Sequence, residues 1–309
     1  MTQSSNPWLR IGSRGSPLAL AQAHEVRARL AAAHGVDPES IEVRIIRTSG
    51  DVIQDRPLAE VGGKGLFTKE IEQALFGCNV DLAVHSAKDM ETALPPGLII
   101  AAVLPREDVR DAFISRKAAT LTALPAGAVV GTASLRRQAI ARRLRSDLRV
   151  VSLRGNVETR LKKLDAGEVD ATMLALAGLK RLGLADAATS IFSVDEFLPA
   201  VGQGAIAIET RENDTRTRAL LAPLNDADTM AALTAERALL AALDGSCRTP
   251  IAGHAVVTGV TLTLRALIVK PDGSADHAST RTGAASDAAA LGHDAGAELK
   301  ARAGPGFFG

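Results

Sequence analysis

The chain has 309 residues, with 36 basic and 35 acidic side chains, an apolar fraction of 46% and an aromatic fraction of 3%. This length is enough for two or three domains, and the apolar fraction is typical of a globular protein. The net charge of +1 argues against a nucleic-acid or membrane-surface protein, and the scarcity of aromatic side chains further disfavours single-stranded nucleic-acid binding.

Targeting, membrane and metal signals are weak in this sequence. Residues 1–10 are polar and lack the apolar run of a signal peptide, and no stretch approaches the roughly 18 consecutive apolar residues of a membrane span. Two cysteines are too few for a disulfide scaffold, and the six histidines are scattered without metal-ligand spacing. The sequence therefore predicts a cytoplasmic protein with no metal site and no membrane or nucleic-acid partner.

Strands and helices alternate from the start of the chain. A strand at 9–11 leads into a Gly- and Ser-rich loop, and a long Ala- and Leu-rich helix then runs to about residue 33. Ser16 is a suitable N-cap for this helix and Pro17 a suitable first residue. The pattern next predicts a strand at 41–48, a glycine-rich turn at 62–65, a helix at 67–75 and a strand at 80–85.

The same order recurs in the second third of the chain. A strand at 129–131 and an N-cap at Ser134 precede a helix at 135–144, a strand at 148–153, a helix ending near 164 and a strand at 169–175. The strands at 80–85 and 169–175 each begin with a Val-Asp pair. Matching order in the two halves predicts two α/β lobes that face a central cleft.

Two crossovers and a change in the pattern of predicted elements mark the domain boundaries. Residues 105–108 predict a crossover out of the first lobe, and 199–208 a strand that returns to it. After about residue 223 the pattern predicts a helix at 228–243, a hairpin at 251–258 and 261–269, and a terminal helix. The expected domains are 1–104 plus 203–222 (α/β lobe), 105–202 (α/β lobe) and 223–309 (small α+β domain).

Positive charge is concentrated where predicted strands end and helices begin. In open α/β sheets these ends form the ligand site, and helix N-termini there favour anions. Arginine forks bind carboxylates bidentately, so the pattern predicts a cleft for a substrate with several carboxylates or phosphates. The cations are Arg14, Lys64, Lys88, Arg136, Arg137, Arg154, Arg160 and Arg181, and nearby hydroxyls are Ser13, Ser16, Thr132 and Ser134.

Asp89 and Cys247 are the candidate reactive residues. Asp89 follows an apolar strand beside Lys88, where it either caps a turn or stabilises a cationic intermediate. His85 lies within that strand, and we interpret it as a core or supporting residue rather than a base. Cys247 is either a buried small side chain or, because it follows a Gly-Ser loop, a nucleophile or covalent anchor. Cys78 has no comparable setting and is interpreted as structural.

Short segments along nearly the whole chain together resemble the porphobilinogen deaminase family. Each could arise by chance, but their joint occurrence in this order is specific. They are Gly-Ser-Arg-Gly-Ser-Pro-Leu-Ala-Leu (12–20), Gly-Gly-Lys-Gly-Leu-Phe (62–67), Ala-Val-His-Ser-Ala-Lys-Asp (83–89), Gly-Thr-Ala-Ser-Leu-Arg-Arg-Gln (131–138), Leu-Arg-Gly-Asn-Val (153–157) through Arg160, Ala-Gly-Leu-Lys-Arg (177–181), Val-Gly-Gln-Gly-Ala (201–205) and Gly-Ser-Cys (245–247).

The resemblance implies a fold and an activity. Two lobes like those of type II periplasmic binding proteins are expected, with the third domain carrying the cofactor cysteine. The implied reaction of this transferase joins four porphobilinogens head to tail into hydroxymethylbilane, with release of ammonia, in tetrapyrrole (haem) biosynthesis. Each incoming porphobilinogen would give an electrophilic azafulvene, and growth would start on a dipyrromethane cofactor bound covalently through Cys247. We expect a monomer with porphobilinogen as its partner.

The resemblance also implies residue roles. It assigns catalysis to Asp89 with Arg14, Arg154 and Arg160, and cofactor binding to Cys247, Asp89, Lys88, Arg136, Arg137, Ser13, Thr132 and Ser134. It assigns the substrate and growing chain to Arg14, Ser16, Lys64, Arg154, Arg160, Arg181 and Gln203. The sequence departs from the family pattern at Glu60, where lysine is common, at Ala133, where serine is commoner, and at Glu91, where proline is frequent.

Three other classes of protein explain part of the pattern. A non-catalytic receptor for a small anion would account for the two lobes and the basic cleft, but not for the Cys247 loop or the third domain. A phosphate-handling enzyme would account for the glycine-rich turns, but the sequence has no complete nucleotide motif. A DNA-binding protein would require a basic face with interspersed aromatic residues, which the sequence lacks.

Overall fold

Three β-sheets organise the chain in the computed structural model, which describes residues 7–52, 65–245 and 249–308. Two predicted site residues, Lys64 and Cys247, lie outside the described residues, as do Glu60 and most of the 62–65 turn. All other predicted site residues lie within them.

The sheet of the first lobe is mostly parallel. Its strands are β1 (Leu9–Ser13), β2 (Ile41–Ile45), β3 (Leu82–Ser86), β4 (Leu98–Val103) and β10 (Ile206–Arg211). The order across the sheet is β2-β1-β3-β10-β4, with β10 antiparallel to both of its neighbours. Helices cover both faces, which explains the near-continuous apolar run of β3.

The sheet of the second lobe repeats this arrangement. Its strands are β5 (Asp111–Ser115), β6 (Val129–Gly131), β7 (Arg149–Val151), β8 (Ala171–Ala175) and β9 (Ser190–Ile191). The order is β7-β6-β8-β5-β9, with β5 antiparallel to β8 and β9. The antiparallel strands β5 and β10 therefore hold equivalent places, and each follows a crossover between the lobes.

The two Val-Asp pairs perform the same structural task in the two lobes. The Asp81 carboxylate accepts a hydrogen bond of 2.8 Å from the backbone N–H of Arg10, and the Asp81 N–H donates to the Arg10 carbonyl. Asp170 makes the same two bonds with Val129, at 2.7 and 2.8 Å. Each aspartate thus pairs the first parallel strand of its lobe with the strand that follows it in the sheet, which confirms the predicted duplication.

The described helices number nine. They are α1 (Pro17–His34), α2 (Ser49–Val52), α3 (Lys69–Phe76), α4 (Leu135–Leu144), α5 (Val157–Asp165), α6 (Leu176–Arg181), α7 (Thr215–Leu221), α8 (Ala227–Ala242) and α9 (Ala288–Ala303). Helices α1, α4, α5 and α6 follow closely on the carboxyl ends of strands β1, β6, β7 and β8. Ser16, Ser134 and Asn156 cap α1, α4 and α5, because each side-chain oxygen accepts a first-turn N–H. The caps predicted at Ser16 and Ser134 are confirmed.

The third domain is a three-stranded antiparallel sheet covered by α8 and α9. Its strands are β11 (Ile251–Thr258), β12 (Thr261–Val269) and β13 (Asp276–Ala284). The helices approach closely because Gly292 and Gly296 face α8, where a Cβ on Gly292 would lie 2.0 Å from the Ala235 carbonyl oxygen. The predicted hairpin is confirmed, and β13 extends it.

The crossovers, at 104–110 and 192–205, are joined to each other and to α8. Arg106 Nε donates to the Gln203 carbonyl at 2.9 Å, and its guanidinium forms a bidentate pair with Glu236 of α8 at 2.6 and 3.0 Å. Glu236 also accepts the N–H groups of Gly202 and Ala255. The prediction of a strand from 199 is wrong at its start, because residues 201–204 form a turn before β10.

The predicted fold class, two α/β lobes with a third small α+β domain, is confirmed by these sheets. The domain boundaries remain a prediction, and each strand lies in the domain that they assign to it. Strands β4, β5, β9 and β13 were not predicted.

Substituting Gly204 with alanine tests the contact between the crossovers. Gly204 has φ +89°, and an added Cβ would lie 2.3 Å from the Glu107 carbonyl oxygen. We expect Gly204→Ala to reduce the free energy of unfolding by about 2 kcal/mol or more, measured by urea denaturation. Gly127→Ala is the matched control, since its φ is +73° but its Cβ would meet nothing within 4 Å. Equal losses in free energy of unfolding in the two variants would show that the contact between Gly204 and Glu107 does not contribute.

Candidate functional site

The candidate site lies where loops at the carboxyl ends of strands from both lobes meet. Lys88 and Asp89 belong to a 3₁₀ turn directly after β3 in the first lobe. Arg136 and Arg137 lie in the first turn of α4 in the second lobe, and Arg160 lies in the first turns of α5. The predicted cluster of cations is therefore assembled from two lobes.

A buried ion triad forms the floor of this site. The Asp111 carboxylate accepts hydrogen bonds from Arg136 Nη2 at 2.7 Å and from Arg137 Nη2 and Nε at 2.7 and 3.0 Å. The remaining Nη1 atoms donate to the carbonyls of Leu198 and Met173. Burial alone would raise the pKa of Asp111, but the two guanidinium groups outweigh it and hold this pKa at about 2. The anionic partner expected for Arg136 and Arg137 is thus in part the protein's own Asp111.

Lys88 and Gln203 adjoin the triad. Gln203 Nε2 donates to Asp111 at 3.1 Å and to the Val109 carbonyl at 2.7 Å, and its Oε1 accepts from Lys88 Nζ at 3.4 Å. Burial and, to a smaller extent, the charge of Arg137 lower the pKa of Lys88 to about 8. Gln203, predicted as a chain-binding residue, is placed behind the cations by these bonds, and its role towards a ligand stays a prediction.

Arg160 lies close enough to Arg137 of the triad and to Asp89 for their charges to act on its pKa. Burial lowers the pKa of Arg160 to about 10, with Arg137 and Arg154 acting in the same direction and Asp89 against them. Arg160 Nε donates to the Gly155 carbonyl at 2.8 Å, which fixes the guanidinium at the start of α5. Asp89 itself is exposed to solvent, so a ligand has access to its carboxylate.

A small cavity of about 50 Å³ lies against Asp89 in the first lobe. Arg14 and Ser16, from the loop between β1 and α1, line it together with Phe67 and His85. The Arg14 guanidinium stacks on the Phe67 ring, 4.2 Å from its centroid. Phe67 belongs to the predicted 62–67 segment, but a role for its side chain was not predicted.

The hydroxyl groups predicted as anion donors take part in local structure. Ser13 Oγ is buried and donates to the Ala19 carbonyl at 3.2 Å, while Ser16 and Ser134 act as caps. Thr132 Oγ1 accepts the Ser134 N–H at 3.2 Å. These bonds order the two loops that face the cleft, and contact of the hydroxyls with a cofactor stays a prediction.

Arg181 lies between the lobes rather than at the triad. Its Nη2 donates to the Gly204 carbonyl at 2.9 Å, and its Nε lies 3.8 Å from the Glu25 carboxylate of α1. Burial lowers its pKa. The structure thus connects Arg181 to the second crossover, and its predicted contact with the growing chain is untested.

The segment before Cys247 is attached to the loop that follows Asp89. Thr92 Oγ1 donates to the Gly245 carbonyl at 2.8 Å, and Arg237 of α8 donates to the carbonyls of Glu91 and Thr92. Gly245 is closely packed here, since an added Cβ would lie 2.4 Å from Ile251 Cδ1. Gly245 is the last described residue before Cys247, so the third domain reaches the Asp89 loop at this point.

The site carries more positive charge, on two buried and two half-buried cations, than its own carboxylates balance. Asp111 and Asp89 are the acidic groups that act on the pKa values of Lys88 and Arg160, against four cations including Arg136 and Arg137. Arg136 Nε is buried without a hydrogen-bond partner among the described residues. An unpaired buried donor and excess cations are costly unless an anion is bound, so these residues fit a ligand with several carboxylates.

Asp111 was not predicted as a site residue. The available signal was an acidic residue at the head of the apolar run Ala-Phe-Ile at 112–114. Within the part of the chain that the structure describes, no group of His, Cys, Asp and Glu could hold a metal ion, and no helix is long and apolar enough to cross a membrane.

Two models of known protein families match this chain. Residues 9–219 match the porphobilinogen deaminase dipyromethane cofactor binding domain, and residues 230–301 match the porphobilinogen deaminase C-terminal domain. Proteins named porphobilinogen deaminase from Nitrobacter hamburgensis and Nitrobacter winogradskyi are each 64% identical over 298 residues, covering 96% of this chain and 94% of theirs.

Two of the solved structures to which the chain is similar are named as binding proteins. A nutrient binding protein from Burkholderia cenocepacia bound to methionine is 14% identical, with a TM-score of 0.44 over 69% of this chain and 90% of its own. A periplasmic substrate-binding protein of an ABC transporter from Coxiella burnetii is 16% identical, with a TM-score of 0.40 over 72% and 94%. These likenesses concern the fold and say nothing of this chain's ligand.

Neutralising Asp111 tests the triad. We expect Asp111→Asn to reduce the free energy of unfolding by about 3–5 kcal/mol, because two guanidinium groups lose their buried counterion. Asp195→Asn is the control, since Asp195 pairs with Arg265 at the surface and its side chain is 84% exposed; its loss should stay below about 1 kcal/mol. The measurement is urea denaturation at neutral pH.

The acid dependence of stability provides a second readout of the same variant. The pKa of Asp111 falls from its ordinary 3.8 to about 2 on folding, so its stabilisation is present above pH 4 and is lost as the pH falls towards 2. The difference in free energy of unfolding between wild type and Asp111→Asn should therefore narrow from pH 4 to pH 2. A difference that stays constant over this range would contradict the lowered pKa of Asp111.

Proposed function

The chain belongs to the porphobilinogen deaminase family, and we propose that it joins four porphobilinogens into hydroxymethylbilane on a dipyrromethane cofactor held by Cys247. It is a transferase of tetrapyrrole biosynthesis. The observation that carries the proposal is the excess of buried and half-buried cations around one exposed aspartate, since porphobilinogen and its oligomers carry an acetate and a propionate on every ring.

The proposed cofactor site uses the cations of both lobes. When bound, the dipyrromethane supplies a free pyrrole α-carbon, which is the nucleophile for chain growth. Lys88, Arg136 and Arg137 would hold its carboxylates, since their charge exceeds that of Asp111. Thr92 and Gly245 bring the third domain to the Asp89 loop, which supports a thioether at Cys247.

Asp89 is the proposed catalytic carboxylate. Departure of ammonia from porphobilinogen leaves positive charge on the pyrrole ring, and a carboxylate stabilises that charge and accepts the pyrrole N–H. Asp89 suits this role because it is exposed, follows β3 directly and lines the cavity that Arg14 and Ser16 also line. Arg14, Ser16, Arg154 and Arg160 would bind the substrate carboxylates beside it.

Arg181, Lys64 and Gln203 complete the proposed binding of the growing chain. Two unit charges about 4 Å apart interact by about 4 kcal/mol at an effective dielectric of about 20. Carboxylates added at each step would therefore stop elongation early without further cations. The cytoplasmic location and monomeric state expected from the sequence remain part of this proposal.

The intact mass of the purified protein under denaturing conditions tests the proposal. We expect an excess equal to two porphobilinogens less two ammonias, present in wild type and absent from Cys247→Ser. Cys78→Ser is the matched control, because Cys78 is an exposed free cysteine remote in sequence from Cys247, and it should keep the added mass. An unmodified wild-type mass that stays unchanged after incubation with porphobilinogen would instead favour a non-catalytic anion receptor.

The lowered pKa of Lys88 predicts a pH-dependent affinity for carboxylates. Above pH 8 the amine loses its proton and its attraction for an anion, while porphobilinogen carboxylates stay ionised. In cofactor-free Cys247→Ser protein, calorimetry should show porphobilinogen affinity falling about tenfold between pH 7 and 9. Lys88→Arg keeps its charge over this range and should abolish the dependence; an unchanged dependence would contradict the role of Lys88.

A further inference from the structure

A second cluster of titratable side chains lies next to the Asp89 cavity and is separate from the ion triad. His85 of β3 and Glu209 of β10 are both buried, and His85 Nε2 lies 3.1 Å from Glu209 Oε2. Glu72 of α3, also buried, is close enough for the charges of Glu209 and His85 to act on its pKa. Neither the ion triad nor the predicted site includes these residues.

This cluster holds more acidic than basic groups. Glu72, Glu209 and Glu91 face it from α3, from β10 and from the loop after Asp89, while His85 and Arg237 of α8 are its basic members. Three carboxyl groups thus exceed the two basic groups even when His85 is protonated. Burial of ionised carboxylates is costly, and it raises the pKa of Glu72 in this cluster.

Two carboxyl oxygens of this cluster have unused hydrogen-bonding capacity. Glu72 Oε1 and Glu209 Oε1 are buried without a hydrogen-bond partner among the described residues. Burial raises the pKa of Glu72, Thr68 opposes this rise and the charge of Glu209 adds to it. Glu209 is the acidic side chain that faces the imidazole, and Glu72 lies close to both.

The cluster reaches the cavity that Asp89 lines. His85 and Thr68 line it together with Asp89 and Arg14. The Glu209 carboxylate beside Nε2 fixes the tautomer with hydrogen on Nε2, so Nδ1 is the basic nitrogen. An imidazolium formed there would lie against a carboxylate, as in a histidine held by an acid for proton transfer.

We propose that His85, positioned by Glu209 and backed by Glu72, accepts the proton that each condensation releases in the Asp89 cavity. This inference rests on the proposed function. Joining two pyrroles breaks the bond from the aminomethyl carbon to its ammonium nitrogen, whose electron pair leaves with neutral ammonia. A carbon–carbon bond forms, the attacking carbon loses its hydrogen, and that electron pair restores the aromatic ring. The one proton left over passes to Nδ1 of His85 and returns to solvent before the next addition.

Isosteric variants of the holoenzyme test this assignment. We expect His85→Gln and Glu209→Gln to lower kcat by about 10²-fold with KM within twofold, because a proton acceptor is lost while the substrate-binding cations remain. The wild-type kcat should fall at acidic pH, because a proton acceptor acts only in its basic form, and this fall should be absent from His85→Gln. Intact mass should show the covalent cofactor retained in both variants.

Thr210→Val is the matched control for damage to the strand. Thr210 follows Glu209 on β10, is equally buried and donates to the Asp81 carbonyl, remote from the cavity. It should keep wild-type kcat despite some loss of stability. A wild-type pH profile in His85→Gln, or a fall in kcat that Thr210→Val shares, would overturn the proposal.

A readout without turnover separates this inference from the proposed function. In cofactor-free Cys247→Ser protein, ¹⁵N NMR should show His85 as the Nε2–H tautomer, and Glu209→Gln should remove that preference. The opposite tautomer would overturn the relay even if the enzyme is active. A wild-type protein that carries no cofactor and consumes no porphobilinogen would overturn the proposed function whatever the tautomer.

Discussion

The carboxylate of Asp111 bridges Arg136 and Arg137, and the arrangement of the cleft depends on this contact. Two adjacent guanidinium groups on one helical turn repel each other and oppose the helix dipole, so without a counterion they would turn towards solvent. Asp111 keeps both inside, and Gln203 connects the same carboxylate to Lys88. Because Asp111 begins β5 directly after the first crossover, the position of these cations depends on how the lobes are joined.

Strand β3 separates two electrostatic environments. At its end lie Lys88, Asp89 and the cations contributed by the second lobe, which together are short of negative charge. Against its side lie His85, Glu72 and Glu209, which are short of positive charge. Anion binding and proton exchange can thus take place around one cavity without the two sets of groups neutralising each other.

Local sequence was sufficient to predict much of this architecture. Helix α4 was predicted with its observed bounds because Ser134 caps it, and the Val-Asp pairs at 80 and 169 indicated the duplication that Asp81 and Asp170 then explained. The position of most cations at strand ends was equally readable. Elements that lack a local signal were not predicted: β9 has two residues, and β13 is largely polar.

The contacts within the site depend on tertiary structure and were harder to predict. Asp111 is remote in sequence from Arg136, and the sequence contains nothing that pairs them. Gln203 was recognised, but its bonds to Asp111 and Lys88 depend on a turn that looked like part of a strand. His85 was interpreted as a core or supporting residue from its place within the strand. Its pairing with Glu209, 124 positions later, was not predictable because it forms only once β10 lies beside β3.

The strand order of the first lobe also constrains how the protein is made. Among the described strands, β4 hydrogen-bonds to β10 and to no other, and residues 104–205 separate the two in sequence. On the ribosome, β4 therefore emerges as an apolar edge, Leu-Ile-Ile-Ala-Ala-Val, while the strands of the second lobe are all synthesised before its partner. The second lobe can complete its sheet first, and the first lobe must shield an unpaired strand until β10 arrives, which makes this nascent intermediate the point most exposed to misassociation and to chaperone binding.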